Sequence, residues 1–175
     1  MKAVFYISAA VAVLATLMVV SRSRAVHALL YLIVSLLAAA VVFYCLGAPL
    51  VAALEVIIYA GAIMVLFVFV IMMLNLGRDS ARQERQWLRP GTWIGPSVLS
   101  AVLLVEVIWS AAAGSAGGHA AGGPAIGPAE VGKSLFGAYL IAVELASMLL
   151  LAGLVGACHL GRRLIAGGGD EGDVP

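Results

Sequence analysis

The sequence predicts an all-α, polytopic membrane protein with five transmembrane helices, an N-terminus outside and a C-terminus in the cytoplasm. Of its 175 residues, 63% are hydrophobic and 11% are charged, and the mean hydropathy is +1.11. Soluble domains carry roughly 25% charged residues, so this composition excludes a soluble domain. Five apolar windows are each long enough to cross about 30 Å of hydrocarbon as a helix, and they do not alternate as membrane strands do.

The first three windows lie in the N-terminal half of the chain. Ala3–Val20 is placed like a signal peptide, but its apolar run is too long for one, so we expect it to remain as the first helix. His27–Leu46 is the second helix. Leu50–Leu76, the third helix, contains a carboxylate, a phenol and a cluster of small residues, which an ordinary lipid-facing anchor does not need.

The last two windows, Trp93–Ala113 and Ser134–Leu160, are the fourth and fifth helices. Between them, a Gly-rich outer loop at about residues 114–130 has no periodicity, and we expect a flexible linker. Residues 167–175 form a short acidic tail that we expect to be flexible and cytoplasmic. The sequence therefore predicts a single membrane domain, residues 1–166, without an enzymatic domain in either the loop or the tail.

The distribution of basic residues predicts the orientation. Most of the ten Lys and Arg residues fall in the first connection, the third connection and the C-terminal tail: Arg22, Arg24, Arg78, Arg82, Arg85, Arg89, Arg162 and Arg163. Only Lys2 and Lys133 belong to the other side of the membrane. Cytoplasmic connections carry the excess of basic residues, so the N-terminus is predicted outside and the C-terminus inside.

Small residues recur at helical spacing and predict close helix contacts. Ser8, Ala12 and Thr16 repeat at four-residue intervals in the first helix, and Ala152 and Gly156 do so in the fifth. Such faces let membrane helices approach closely. Five helices cannot easily satisfy several such faces and also enclose polar side chains, so we expect further membrane chains as partners.

Several apparent cofactor motifs are better explained otherwise. Residues 127–134 match the phosphate-loop pattern, but they connect a Gly-rich linker to a membrane helix and not a buried strand to a helix. Cys45 and Cys158 are too few for an iron–sulfur cluster, which needs four thiolates. His27 and His159 share the inner side, where a haem could bridge two helices, but histidines near helix ends more often cap a helix or face headgroups. We predict no metal site, bound cofactor or nucleic-acid partner.

Three carboxylates lie inside the predicted helices and need neighbours. They are Glu55 in the third helix, Glu106 in the fourth and Glu144 in the fifth. An ionisable group at this depth costs about 2.5–3.5 kcal/mol on insertion scales, which favours a functional role for Glu55 and Glu144. Tyr59 lies one turn after Glu55 and could share a proton or a water with it. For Glu106 we favour a packing role, with the carboxyl protonated or hydrogen-bonded to another helix.

Four stretches resemble the subunit J family of bacterial NADH-quinone oxidoreductase, respiratory complex I. They are Val26–Leu32, Leu54–Leu74, Gln83–Trp87 and Ala142–Ala152. The resemblance covers nearly the whole membrane part, and its most specific run is Tyr59–Phe67. The outer loop and the acidic tail do not show the family pattern.

The resemblance implies a multi-pass subunit in the bacterial inner (plasma) membrane, within the membrane arm of a proton-pumping NADH:quinone oxidoreductase. Its expected partners are complex I membrane subunits A, H, K and N and the lipid bilayer, so it is not a stand-alone homo-oligomer. FMN, the iron–sulfur clusters, NADH and quinone are expected to bind to other subunits. This chain is therefore expected to be a non-catalytic subunit without redox chemistry of its own.

The resemblance also implies a π-bulge in the third helix near Tyr59, whose conversion to α-helix accompanies changes of state. Conversion would rotate the residues beyond it by roughly a third of a turn and could open or close a water path. Glycine tolerates the required change in dihedral angles. The residues predicted to form the proton relay or gate are Glu55, Tyr59, Gly61, Val65, Phe67, Met72 and Glu144.

Two other classes of function remain open. An independent small transporter or channel would use the buried carboxylates, although the chain has no internal repeats. A purely structural subunit of a related energy-converting oxidoreductase or hydrogenase would need the carboxylates only for assembly.

Overall fold

The computed structural model describes residues 2–22, 25–74, 90–112, 119–120, 123–124 and 126–166. Within these ranges the chain is mainly helical, with two paired strands of two residues each and short turns between helices. Five of the described helices are long and apolar enough to cross a membrane. The predicted all-α class with five transmembrane helices is confirmed.

The elements follow one another in a simple order. They are α1 (Lys2–Ser21), α2 (Ala25–Cys45), α3 (Pro49–Leu54), a π-helix (Glu55–Ile63), α4 (Met64–Leu74), α5 (Pro90–Ala112), β1 (His119–Ala120), β2 (Gly123–Pro124), α6 (Pro128–Leu135) and α7 (Leu140–Ala166). The candidate spans are α1, α2, the run Pro49–Met73 through α3, the π-helix and α4, then most of α5 and most of α7.

A glycine turn separates α2 from α3. Gly47 has a positive φ of 85°, a left-handed conformation that glycine adopts without a Cβ penalty. Its N–H donates to the Tyr44 carbonyl at 3.1 Å, and the Ala48 N–H donates to the Phe43 carbonyl at 3.1 Å. These two bonds form a Schellman motif that ends α2. Pro49 then starts α3, where a missing N–H costs nothing.

The core lies between α1, α2 and α5. Val11 and Ala15 of α1, Val34 and Ala38 of α2, and Leu103 of α5 form one buried apolar cluster. Of the predicted small-residue face of α1, Ser8 is fully buried and Ala12 is partly buried against this core, whereas Thr16 is exposed. Close approach of these helices leaves little room for side chains, which is why the contact is built from Ala, Ser and Val.

Hydroxyl groups tie α1 to α2 beside this core. The Thr16 and Ser35 hydroxyls are 2.8 Å apart, and Ser35 Oγ donates to the Ala12 carbonyl at 3.1 Å. Thr16 Oγ1 lies 2.8 Å from the same Ala12 carbonyl. Each hydroxyl has one proton, so two of these three hydrogen bonds form at a time. Hydrogen bonds between membrane helices add to packing as a source of association. The interface is therefore specified by polar as well as small residues.

The chain divides into two compact units, Met1–Pro128 and Ala129–Pro175. In the second unit, the fifth transmembrane helix does not begin at Ser134 as predicted. Helix α6 ends at Leu135, residues 136–139 form a turn, and α7 begins at Leu140. The Tyr139 N–H donates to the Ser134 carbonyl at 3.1 Å within this turn.

The predicted outer loop contains some regular structure. His119 pairs with Pro124 and Ala120 with Gly123 in an antiparallel register, and α6 begins inside the predicted loop at Pro128. The predicted flexible tail, residues 167–175, lies outside the described residues, as does the Arg-rich connection at 75–89.

Candidate functional site

The third transmembrane helix changes its hydrogen-bond pattern in the middle. The Glu55 N–H bonds to the Val51 carbonyl, four residues back, as in an α-helix. At the other end, the Met64 N–H bonds to the Tyr59 carbonyl, five residues back. The nine residues Glu55–Ile63 are π-helical, whereas most π-helices are single-turn bulges inside α-helices.

The π-helix continues the helix axis on both sides. Leu54 and Met64 have ordinary α dihedral angles, with φ of −64° and −67° and ψ of −38° at both. Each i→i+5 ring encloses one residue more than an i→i+4 ring. The segment is thus a wider stretch within one continuous span.

Gly61 is placed where a side chain would crowd the π-helix. A Cβ at this position would lie 3.1 Å from the Val56 carbonyl oxygen, closer than an ordinary van der Waals contact. That oxygen is five residues back, at the spacing of a π-helical acceptor. Glycine avoids the contact because it has no Cβ.

The structure brings three predicted site residues into this one element. Glu55 is its first residue and is half-buried, Tyr59 lies in its middle with 52% of its surface exposed, and Gly61 follows. Within the described residues, the Glu55 and Tyr59 side chains are not hydrogen-bonded to each other. A proton passing between them would need a water or a partner side chain.

The remaining predicted residues lie elsewhere. Val65, Phe67 and Met72 follow the π-helix in α4, and all three are exposed at the surface of the described chain. Glu144 lies on α7 in the second unit and is also exposed. The hydroxyl of Ser147, three residues after Glu144, donates to the Glu144 backbone carbonyl at 2.7 Å.

Sequence reasoning missed the pairing of Glu106 with Ser8. Glu106 of α5 is 7% exposed and Ser8 of α1 is 0% exposed. Ser8 Oγ donates to Glu106 Oε2 at 2.7 Å. The available signals were the carboxylate in the fourth helix and the small-residue face of the first, but nothing in the sequence connects two residues so far apart.

An apolar groove adjoins the π-helix. It has a volume of about 650 Å³ and is lined by α2, α3, the π-helix and α5. Leu37 and Leu103 form part of its apolar wall, and Val56 brings the π-helix into the lining. A change in the π-helix would therefore change one wall of the groove. Such a lining favours apolar groups over charged ones.

The described residues do not form a recognisable metal centre. Groups of three or more His, Cys, Asp or Glu side chains with suitable geometry are absent from them. Cys45 is a buried free thiol and Cys158 an exposed one.

Comparison with known proteins decides the family. The family model for NADH-ubiquinone/plastoquinone oxidoreductase chain 6 matches residues 15–160, a range that includes the whole π-helix. The chain belongs to this family. The predicted resemblance to a complex I membrane-subunit family is confirmed.

Bacterial members of the family are similar over most of their length. NADH-quinone oxidoreductase subunit J of Pseudomonas aeruginosa is 59% identical over 163 residues, covering 93% of this chain and 98% of the relative. Subunit J of Escherichia coli strain K12 is 56% identical over 167 residues, covering 95% and 90%. Subunit J of Rhodobacter capsulatus is 38% identical over 159 residues, covering 89% and 79%.

Proposed function

We propose that this chain is the subunit J component of a proton-pumping NADH:quinone oxidoreductase in the bacterial inner membrane. We further propose that the π-helix is a gate that couples quinone reduction to proton translocation. The observation that carries this proposal is the π-helix at Glu55–Ile63, which contains an intramembrane carboxylate, a phenol and a glycine within one span.

The gate would work by a change of hydrogen-bond register. In the π state, each turn encloses an extra residue, and Gly61 leaves room for the Val56 carbonyl. In the α state, the bonds would shift to i→i+4 and the residues beyond would rotate by roughly a third of a turn. A helix of this kind has two discrete arrangements, which is what a switch requires.

The rotation would act on exposed side chains of α4. Val65 is 64% exposed and Met72 is 62% exposed, so both are available to contact neighbouring membrane chains or a water path. Turning bulky apolar groups such as these and Phe67 into a water path would break it, and turning them away would restore it. Glu55 and Tyr59 would carry the proton on the π-helix itself, and Glu144 would be a second relay group on α7.

The redox chemistry would belong to other subunits. This chain has two cysteines in all, too few to ligate an iron–sulfur cluster. We infer that FMN, the iron–sulfur clusters, NADH and quinone bind elsewhere in the assembly, and that this chain is a non-catalytic coupling subunit. Membrane subunits A, H, K and N are its proposed partners. The candidate span of α7, which the described part of the chain leaves unburied, would supply one of the surfaces for them.

Native electrophoresis tests the proposed assembly. The tagged chain is expressed in its bacterium, the membranes are solubilised gently, and the gel is stained for NADH dehydrogenase activity. We expect the tag to migrate with that activity in one large complex. A small species without NADH dehydrogenase activity would contradict the proposal and favour an independent transporter.

The Gly61→Val substitution tests the gate. Its Cβ would press on the Val56 carbonyl and favour the α-helix, so we expect fewer protons pumped per NADH oxidised in inverted membrane vesicles. The matched control is Ala62→Val, one residue further on in the same π-helix, which already carries a Cβ and is exposed. Normal proton pumping in the Gly61→Val vesicles would reject the gate, whereas a loss in both variants would reject the special role of Gly61.

Carboxamide variants separate coupling from assembly. We expect Glu55→Gln and Glu144→Gln each to leave the amount of complex on the native gel unchanged and to lower proton pumping. If pumping per assembled complex stays normal and only the amount of complex falls, the two carboxylates have a structural role.

A further inference from the structure

The apolar groove beside the π-helix reaches the ends of three spans. Tyr44 is next to the last residue of α2, Pro49 is the first residue of the third span and Ala111 is next to the last residue of α5. The ends of transmembrane helices lie at the membrane interface, where the amphipathic ring of a tyrosine is typical. We call this part of the groove its interface end.

The other end of the groove lies near the middle of the bilayer. The lining residues furthest from the helix ends are Leu37 of α2, Val56 of the π-helix and Ser100 of α5. Ser100 lies eleven residues before Ala111, which corresponds to about 16 Å along a helix. Since the hydrocarbon core is about 30 Å thick, the groove extends through about one leaflet.

A transmembrane helix is too large for this space. A helix about 10 Å wide would occupy roughly 1,250 Å³ over a length of about 16 Å. The groove has a volume of about 650 Å³. A spanning helix would also continue into the second leaflet, beyond the groove. The occupant must therefore be narrower than a helix and about one leaflet long.

The groove is continuous with the exposed surface of the spans. Val56 and Leu104 line it, and they are 42% and 60% exposed. Among the described residues, its lining does not include a charged side chain. A bilayer that surrounds these spans presents hydrocarbon chains to such a surface, and each chain extends through one leaflet. An acyl chain thus matches the groove in polarity, width and length.

We propose that the groove binds one acyl chain of a membrane phospholipid. The ester end of the chain lies at the interface end, beside Tyr44, and the methyl end lies near Leu37 and Ser100. The chain contacts Val56 and fills the space between the third span and α5, where a void would forfeit packing contacts. This site is distinct from the proposed proton relay, and the proposal does not depend on the gate.

Photo-crosslinking in the purified assembly tests the proposal. The assembly is reconstituted in bilayers of phosphatidylethanolamine and phosphatidylglycerol that contain a small fraction of phosphatidylethanolamine with a diazirine in one acyl chain. One probe carries the diazirine near the ester and the other near the methyl end. Mass spectrometry of peptides should find the ester-end probe on Tyr44 or Ala111, and the methyl-end probe on Leu37, Val56 or Ser100.

A groove-filling variant shows whether the labelling depends on the groove. Ala53 is exposed and lines the groove, so Ala53→Trp should lower the labelling of the groove by the methyl-end probe several-fold. The matched control is Ala101→Trp, at an exposed alanine of α5 outside the lining, which should leave the labelling of the groove unchanged.

Three results would overturn the proposal. Labelling of the assembly that spares the groove residues would mean that protein fills the groove. Labelling of the groove that Ala53→Trp does not lower would mean loose contact with the bilayer. The third result needs only the unsubstituted protein, so it decides even if Ala53→Trp does not assemble: the two probes label both ends of the groove equally, which excludes an ordered chain.

Discussion

Gly95 allows Tyr31 to pack against α5. A Cβ on Gly95 would collide with Tyr31 Oη and would lie 3.0 Å from Cζ of the same ring. Tyr31 is 4% exposed, so its ring has little room to move away. We expect Gly95→Ala to destabilise the protein by about 1–3 kcal/mol through overpacking. The measurement is the temperature at which the solubilised assembly loses half of its native-gel band.

A second substitution tests whether contact with Tyr31 causes the loss of stability in Gly95→Ala. Tyr31→Phe removes Oη, and its ring keeps the cation–π contact with Arg22, whose Cζ lies 5.6 Å from the ring centroid. In the Gly95→Ala background it should restore part of the lost stability. Gly132→Ala, at a position with open space around the new Cβ, should change little. Equal losses at Gly95 and Gly132 would contradict the explanation.

The Thr16 and Ser35 hydroxyls form a pair whose energy can be measured. Their oxygens are 2.8 Å apart between α1 and α2. Hydrogen bonds between membrane helices average about 0.6 kcal/mol and reach about 1.7 kcal/mol in double-mutant cycles. We expect the cycle of Thr16→Val and Ser35→Ala to give a favourable coupling energy in that range. A coupling energy of zero would contradict a stabilising hydrogen bond between these two side chains.

The sequence predicted which residues of the π-helix lie close together, but it did not predict the contact between α1 and α5. Glu55, Tyr59 and Gly61 were placed together because they are close in sequence and fall in a recognisable stretch. The Ser8–Glu106 pair joins residues 98 positions apart, and periodicity carries no information about which faces of two helices meet. The packing role expected for Glu106 agrees with its burial. Its partner could only come from the three-dimensional structure.

Deleting one residue is expected to have a different effect in the π-helix than in an α-helix. Removing one residue from an α-helix turns every later residue by about 100° relative to the residues before it. Removing Ala60 from the π-helix should instead close the i→i+5 rings to i→i+4 and leave the α4 side chains in place. We expect the Ala60 deletion to assemble and oxidise NADH but to pump fewer protons, since the helix can no longer switch.

The matched control deletes Val68 from the regular helix α4. This deletion should turn Met72 and the rest of α4 onto a new face and reduce the amount of complex on the native gel. Assembly that is lost equally in both deletions would contradict the idea that the π-helix contains one removable residue.

Hydropathy predicted the number and type of helices but not the changes inside them. The third span is apolar from α3 through α4, so its composition is the same whether its bonds are α or π. The fifth helix shows the same limit. Phe136 and Tyr139 keep the segment apolar across the turn that separates α6 from α7. Hydrogen-bond register and short turns depend on backbone geometry, which apolar length does not report.

The predicted orientation of the whole chain can be tested with cysteine reporters. Eight of the ten basic residues lie on one side of the predicted membrane, which favours a cytoplasmic C-terminus. Cys45 and Cys158 are replaced by Ala, and single cysteines are introduced as Ser115→Cys in the outer loop or Gly169→Cys in the tail. A membrane-impermeant maleimide should label the loop cysteine in intact cells and the tail cysteine only after permeabilisation.

The reporters also test whether charge is the cause of the orientation. Four of the eight basic residues lie in one short connection, which is the range over which basic residues act on topology: Arg78, Arg82, Arg85 and Arg89. Replacing these four by Gln should raise the fraction of chains that are labelled at the tail in intact cells. The cysteine-free protein, with Cys45 and Cys158 replaced by Ala and exposed to the same maleimide, sets the labelling background. If the Gly169→Cys protein with all four arginines is labelled in intact cells, the orientation is the reverse of the predicted one and Lys2 lies in the cytoplasm.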